Sequence, residues 1–148
     1  MGRIKVSVVI DASVTATWDE VRNIERHVEW MGDAEEIIFT TDQREGRGTT
    51  FDCRTKVGPI RLTDRMEITE WDPGRTMGVR HVGLVTGVGA FHLEGLRKDR
   101  TRFTWDETLV FPWWMGGRIG GFFGGFVMRR IWMKNLTVLK VLVEHPRR

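Results

Sequence analysis

The hydrophobic pattern changes period along the chain, and the changes mark out the elements. Over residues 3–11, Ile4, Val6, Val8 and Ile10 share one face against Lys5, Ser7 and Asp11, which predicts a half-buried strand. Ser13 then stands as an N-cap before Val14, Trp18, Val21 and Ile24, a helical stripe. A second short helical piece is predicted over residues 25–31, ending at Gly32. The period then returns to two. Residues 37–41 form a short strand, the glycines at 46 and 48 a turn, and residues 49–57 a strand with Phe51, Cys53, Thr55 and Val57 on one face. Gly58-Pro59 turns the chain into a long strand over residues 60–71, whose inward set is Leu62, Asp64, Met66 and Ile68. Asp72-Pro73-Gly74 is a turn, because proline presets φ and glycine accepts positive φ. Strands over residues 75–82, 88–96 and 101–111 complete a run of hairpins. In the last of them Glu107 shares a face with Phe103, Trp105 and Leu109. The final period is 3.6: over residues 117–144 Met128, Trp132, Leu136, Leu139 and Val143 make an apolar stripe, and Arg129, Arg130, Lys134 and Lys140 a basic remainder. Glycine pairs at 116–117, 120–121 and 124–125 weaken the start of this helix, each glycine costing about 1 kcal/mol relative to alanine.

A strand, two helices, six strands and a long helix give an α+β order, with helices set against one antiparallel sheet. At 148 residues one domain over 1–148 is expected, long enough to bury a core. The formal charge of +3 is spread along the chain among comparable numbers of acids, which argues against nucleic acid as a partner. Cys53 is the only cysteine, so no internal disulfide or cysteine zinc site can form. Without a visible leader or an apolar run of membrane-spanning length, the expected location is the cytoplasm.

Serine-based nucleophilic catalysis has little to stand on, since Ser7 and Ser13 are the only serines and there is no tyrosine. His27, His81, His92 and His145 have no metal-ligand spacing among themselves or with Cys53, so neither a metal nor another cofactor is predicted. The glycine pairs lack the Lys-Ser/Thr of a phosphate loop. Acid–base chemistry remains open to Asp64, His81 and Glu107, all placed on the inward face of the sheet. A buried carboxylate must pair with a base or keep its proton. The aromatic inventory exceeds what one sheet face needs, so a ligand pocket is expected between sheet and helix. Its predicted lining is Trp30, Phe51, Met66, His81, Phe91, Phe103, Trp105, Glu107, Phe126, Trp132 and Leu136. Trp113, Trp114, Phe122 and Phe123, beside Arg118, Arg129 and Arg130, form a segment suited to peripheral membrane contact, to closing the pocket, or to burial in a homodimer.

Five stretches, IDASVTATWDEV, RHVEW, EGRGTTFDC, ITEWDPGRTM and TRFTWDETLVFP, together with their order, resemble the START-like or SRPBCC helix-grip superfamily, in its polyketide cyclase/dehydrase-type branch. The resemblance implies a seven-stranded curved antiparallel sheet gripping the C-terminal helix, with a hydrophobic pocket for lipids, polyketides, isoprenoids or similar molecules. It leaves three functions open: a binding or transport protein, a cyclase, dehydratase or aromatase using the pocket acids and bases, and a partner-binding module.

Overall fold

The computed structural model describes the backbone of residues 2–110 and 117–146, and their side chains except at 57, 60 and 117–124. Element order is β1 (Gly2–Ile10), α1 (Val14–Val21), a 3-10 turn (Ile24–Glu29), β2 (Ala34–Phe39), β3 (Thr50–Val57), β4 (Ile60–Asp72), β5 (Thr76–Val82), β6 (Thr86–Leu96), β7 (Arg100–Val110) and α2 (Gly117–Glu144). All seven strands join one antiparallel sheet in the order β1-β7-β6-β5-β4-β3-β2. Every neighbour except β1 is thus a hairpin partner. β1 reaches β7 by pairing Gly2 through Ile10 with Leu109 back to Thr101.

Local chemistry sets the short elements. The Ser13 hydroxyl accepts from the Ala16 amide at 3.1 Å and starts α1, whose inward side is Thr17, Trp18 and Val21. The second predicted helix is instead the 3-10 turn Ile24–Glu29, a tighter winding that leaves Ile24 and His27 buried. β2 begins at Ala34, three residues before its predicted start, because the Asp33 carbonyl already accepts from the Lys56 amide and ties the chain to β3.

The register of β4 against β5 slips between Ile68 and Glu70, so Thr69 is an extra residue that bends the strand. Gly78 lies against this bulge. A Cβ there would stand 2.9 Å from the Glu70 Cβ and 3.1 Å from the Thr69 hydroxyl, so the bend needs glycine opposite it.

α2 packs along β1 and closes the inner face of the sheet. Trp132, Leu136, Leu139 and Val143 are buried, whereas Met128 is half-buried. Two members of the basic remainder do more than face water. Arg129 donates to the Lys5 carbonyl at 3.0 Å, and Lys140 to the Val9 carbonyl at 2.9 Å. These carbonyls lie on β1, an edge strand with no neighbour on its outer side, so α2 covers polar groups that would otherwise invite another strand. The far end is held by Glu144, which accepts from the Asp11 amide and pairs with Lys140. No helix among the described residues is long and apolar enough to cross a membrane.

Candidate functional site

Between sheet and α2 lies a cavity of about 90 Å³. Its wall is largely apolar, with four methionines, Met31, Met66, Met77 and Met128, beside Phe51, Phe91, Trp105 and Trp132. Trp105 of β7 and Trp132 of α2 stack face to face, with ring centroids 4.1 Å apart and planes 7° from parallel. Phe91 meets Trp105 edge-on at 5.2 Å. Sheet and helix are thereby joined through a rigid aromatic wall.

Into this apolar wall the sheet places one polar network. His81 on β5 is bonded through Nδ1 to Asp64 Oδ2 at 2.9 Å and through Nε2 to Glu107 Oε2 at 2.8 Å. Trp105 Nε1 donates to the other Glu107 oxygen, Oε1, at 2.8 Å. Burial alone would push the His81 pKa down. The hydrogen bonds to Asp64 and Glu107, with the charges of both carboxylates, outweigh it and raise the value to about 10. The ring is therefore an imidazolium near neutrality, with both N–H groups given to protein carboxylates. Asp64 Oδ1 has no partner although it is buried, and Trp30 Nε1 is in the same condition.

How Glu107 reaches His81 follows from the register. The sheet runs β7-β6-β5, so the two residues are separated by the whole of β6, about 10 Å at ordinary strand spacing. Across β6 Glu107 faces Gly89, and His81 faces Gly87. The Glu107 side chain lies flat over Gly89, where an added Cβ would fall 1.9 Å from the Glu107 Cγ. β6 thus contributes to the site by having no side chain at this point, and the carboxylate crosses it.

A second polar cluster bounds the cavity where α2 meets the start of β2. Asn135 is buried on the apolar side of α2; its Oδ1 accepts from the Gly32 amide at 3.0 Å and its Nδ2 donates to Asp33 Oδ1 at 2.9 Å. Burial raises the Asp33 pKa, the bond from Asn135 opposes the rise, and the charges of Glu107 and Asp64 add to it. His27, also on the wall, is fully enclosed. Its pKa falls to about 4 through desolvation, so the neutral ring donates from Nε2 to the Val21 carbonyl at 2.7 Å. Cys53, expected as a core filler, lines the cavity too, and burial pushes its thiol up to about 11. Among the described residues no group of three or more His, Cys, Asp or Glu is placed to hold a metal ion.

Of the residues expected to line the pocket, Phe51, Met66, His81, Phe91, Trp105, Glu107 and Trp132 do so, and Asp64 joins them. Four do not. Trp30, Phe103 and Leu136 are buried in the packed core and do not line the cavity; Trp30 and Phe103 lie behind its wall, against Phe91. Phe126 is 60% exposed, because it lies two residues before Met128 and so falls off the inward stripe of α2. Trp113 and Trp114, and the side chains of Phe122 and Phe123, lie outside the described residues. Sequence reasoning passed over His27, Asp33, Asn135 and the glycines of β6. Two signals were present: Asn135 sits three residues after Trp132, on the buried stripe, and Gly89 interrupts the strand predicted over residues 88–96, where a missing side chain commonly marks a close approach.

A seven-stranded antiparallel sheet, a long C-terminal helix laid against it and a cavity between them define a helix-grip protein of the START-like class. The family model described as polyketide cyclase / dehydrase and lipid transport matches residues 1–143, and the chain belongs to that family. Among solved structures, a protein of Thermus thermophilus is similar at a TM-score of 0.80 and 15% identity, over 96% of this chain and 97% of its own. The Zhui aromatase/cyclase of a Streptomyces species is similar at 0.77 and 16% identity, over 99% and 96%. The di-domain aromatase/cyclase StfQ of the steffimycin biosynthetic pathway is similar at 0.74 and 14% identity, over 96% of this chain and 50% of its own. No curated protein matches in sequence.

Proposed function

We propose that the protein binds a hydrophobic small molecule in the cavity between the sheet and α2, and holds it without transforming it. The observation that carries this reading is a cavity with a largely apolar wall in which every N–H of the His81 network is already given to a protein carboxylate. Both His81 nitrogens and the Trp105 N–H are committed to protein carboxylates, so the imidazolium has no free nitrogen with which to exchange a proton with a guest. As it stands, the cavity is smaller than the roughly 150 Å³ void that holds benzene in an engineered core. Four methionines on its wall allow it to grow, since unbranched thioethers repack at little cost. Membership of a family described by lipid transport as well as cyclisation accords with a carrier role.

The test is native followed by denaturing mass spectrometry of freshly purified protein. The expected result is an apolar adduct near one-to-one stoichiometry. An empty spectrum, together with tryptophan emission that apolar probes leave unchanged, would overturn the reading. In the Trp132→Ala variant, affinity for any retained ligand is expected to fall about tenfold, the scale of a lost aromatic contact. Equal binding by this variant would place the ligand elsewhere.

A second reading rests on one atom. Asp64 lines the cavity and its Oδ1 is buried without a partner, and such a carboxylate oxygen is able to take a proton from a bound carbonyl compound in a cyclase or dehydratase step. Under that reading Asp64→Asn abolishes turnover and leaves binding in place; turnover by the variant removes Asp64 from the chemistry.

A further inference from the structure

The polar atoms of the cavity are unequally shared between donors and acceptors. The network holds four carboxylate oxygens, and the protein supplies three N–H donors, two from His81 and one from Trp105. The fourth oxygen, Asp64 Oδ1, is buried with no partner. Leaving such an acceptor empty is unfavourable, and more so for a charged group. The remaining polar wall does not correct the imbalance. Asp33 is another carboxyl group, and His27 is neutral with its Nε2 proton given to the Val21 carbonyl. The Thr55 hydroxyl is turned to the Cys53 sulfur at 3.7 Å, and the Cys53 thiol is uncharged near neutrality. No lysine or arginine lines the cavity among the described residues. One imidazolium therefore faces two carboxylates within an apolar shell, and the deficit is one positive charge and at least one hydrogen-bond donor.

Resting on the ligand-binding reading above, we infer that the cavity selects an apolar molecule carrying a protonated amine, whose N–H meets Asp64 Oδ1, and rejects molecules headed by a carboxylate. An ammonium supplies both missing quantities, the donor and the charge. An alcohol supplies only the donor. A carboxylate supplies neither and adds a third negative charge near Asp64 and Glu107, where like charges repel strongly away from water.

Three matched probes separate these cases: benzylamine, benzyl alcohol and benzoate, which share one ring and differ in the head. Titrated at neutral pH and followed by tryptophan fluorescence and calorimetry, benzylamine is expected to bind about tenfold or more tightly than benzyl alcohol, and benzoate to bind weakest. In Asp64→Asn, which keeps the shape and an acceptor for His81, the amine is expected to lose about tenfold while the alcohol changes little. Benzoate binding as tightly as benzylamine overturns the inference, as does an amine preference that Asp64→Asn leaves intact. Should the alcohol bind and the amine not, the head-group assignment fails and the ligand-binding reading stands. Should none of the three bind, both fail. Because the ranking on the unaltered protein is decisive by itself, the test survives a variant that does not fold.

Discussion

His81 and His27 occupy the same cavity wall, yet their environments push them to opposite charge states. The two make opposing contributions to the pH dependence of stability. His81 titrates near 6.5 in an unfolded chain and near 10 in the fold, so its contribution is complete below about pH 6.5 and is lost as pH rises through 10. His27 is lowered to about 4, so folding disfavours its proton. Its contribution is complete above about pH 6.5 and is lost as pH falls toward 4. The summed contribution of this pair is greatest close to pH 6.5. Urea unfolding at pH 5, 6.5 and 9 measures this, and His27→Gln is expected to flatten the acid side alone, His81→Gln the alkaline side alone. Replacing His81 by leucine also leaves Asp64 and Glu107 buried without their cation, for an expected loss of about 3–5 kcal/mol. A loss under 1 kcal/mol would show that water reaches the pair. The inward placement of Asp64, His81 and Glu107 was legible from strand parity. That the three bond to one another was not, because parity places a residue on a face without saying which strands lie side by side.

At the scale of elements, β6 and α2 show what a pattern of hydrophobic residues leaves unsaid. Alternation located β6 but offered no reason for Gly87 and Gly89, since a glycine adds nothing to a hydrophobic count. For Gly89 the reason lies on β7, whose Glu107 needs the vacant surface, whereas Gly87 is fixed by its positive φ and by the Thr108 carbonyl, 2.0 Å from where a Cβ would stand. Gly89→Ala is expected to cost about 1–3 kcal/mol through overpacking. The reading specific to its role is the His81 pKa: with Glu107 displaced, NMR titration is expected to show it falling from about 10 toward 6.5. An unchanged His81 titration would mean that Glu107 finds another path across. α2 was predicted over the residues it occupies, 117–144, and its stripe from Trp132 to Val143 faces inward. Asn135 was passed over because the stripe was traced by apolar residues only. It fastens the helix to Gly32 and Asp33, and Asn135→Ala is expected to cost about 1 kcal/mol by removing two part-buried hydrogen bonds. Hydrogen exchange at the Gly32 amide should accelerate in that variant; unaltered protection there would assign the loss to packing instead.

For the whole molecule, the sheet order follows almost entirely from hairpins between consecutive strands, and this is why the fold could be read from turn residues and alternation. Only β1 pairs out of sequence, with β7, and so closes the sheet beside the helix that ends the chain. The polar network spans β4, β5 and β7, crossing β6 at Gly89, so its geometry depends on the curvature and register of the complete sheet. Such a site has no short sequence motif: Asp64 and Glu107 are 43 positions apart, and neither has a neighbour in sequence that announces the other. Gly89 carries a consequence for comparing chains of this fold. A methyl group there leaves every backbone hydrogen bond of the strand possible while barring a long carboxylate from lying across it. Two such proteins could superimpose closely and differ completely in which polar atoms meet a guest, so the vacant positions of a strand deserve to be aligned as carefully as the occupied ones.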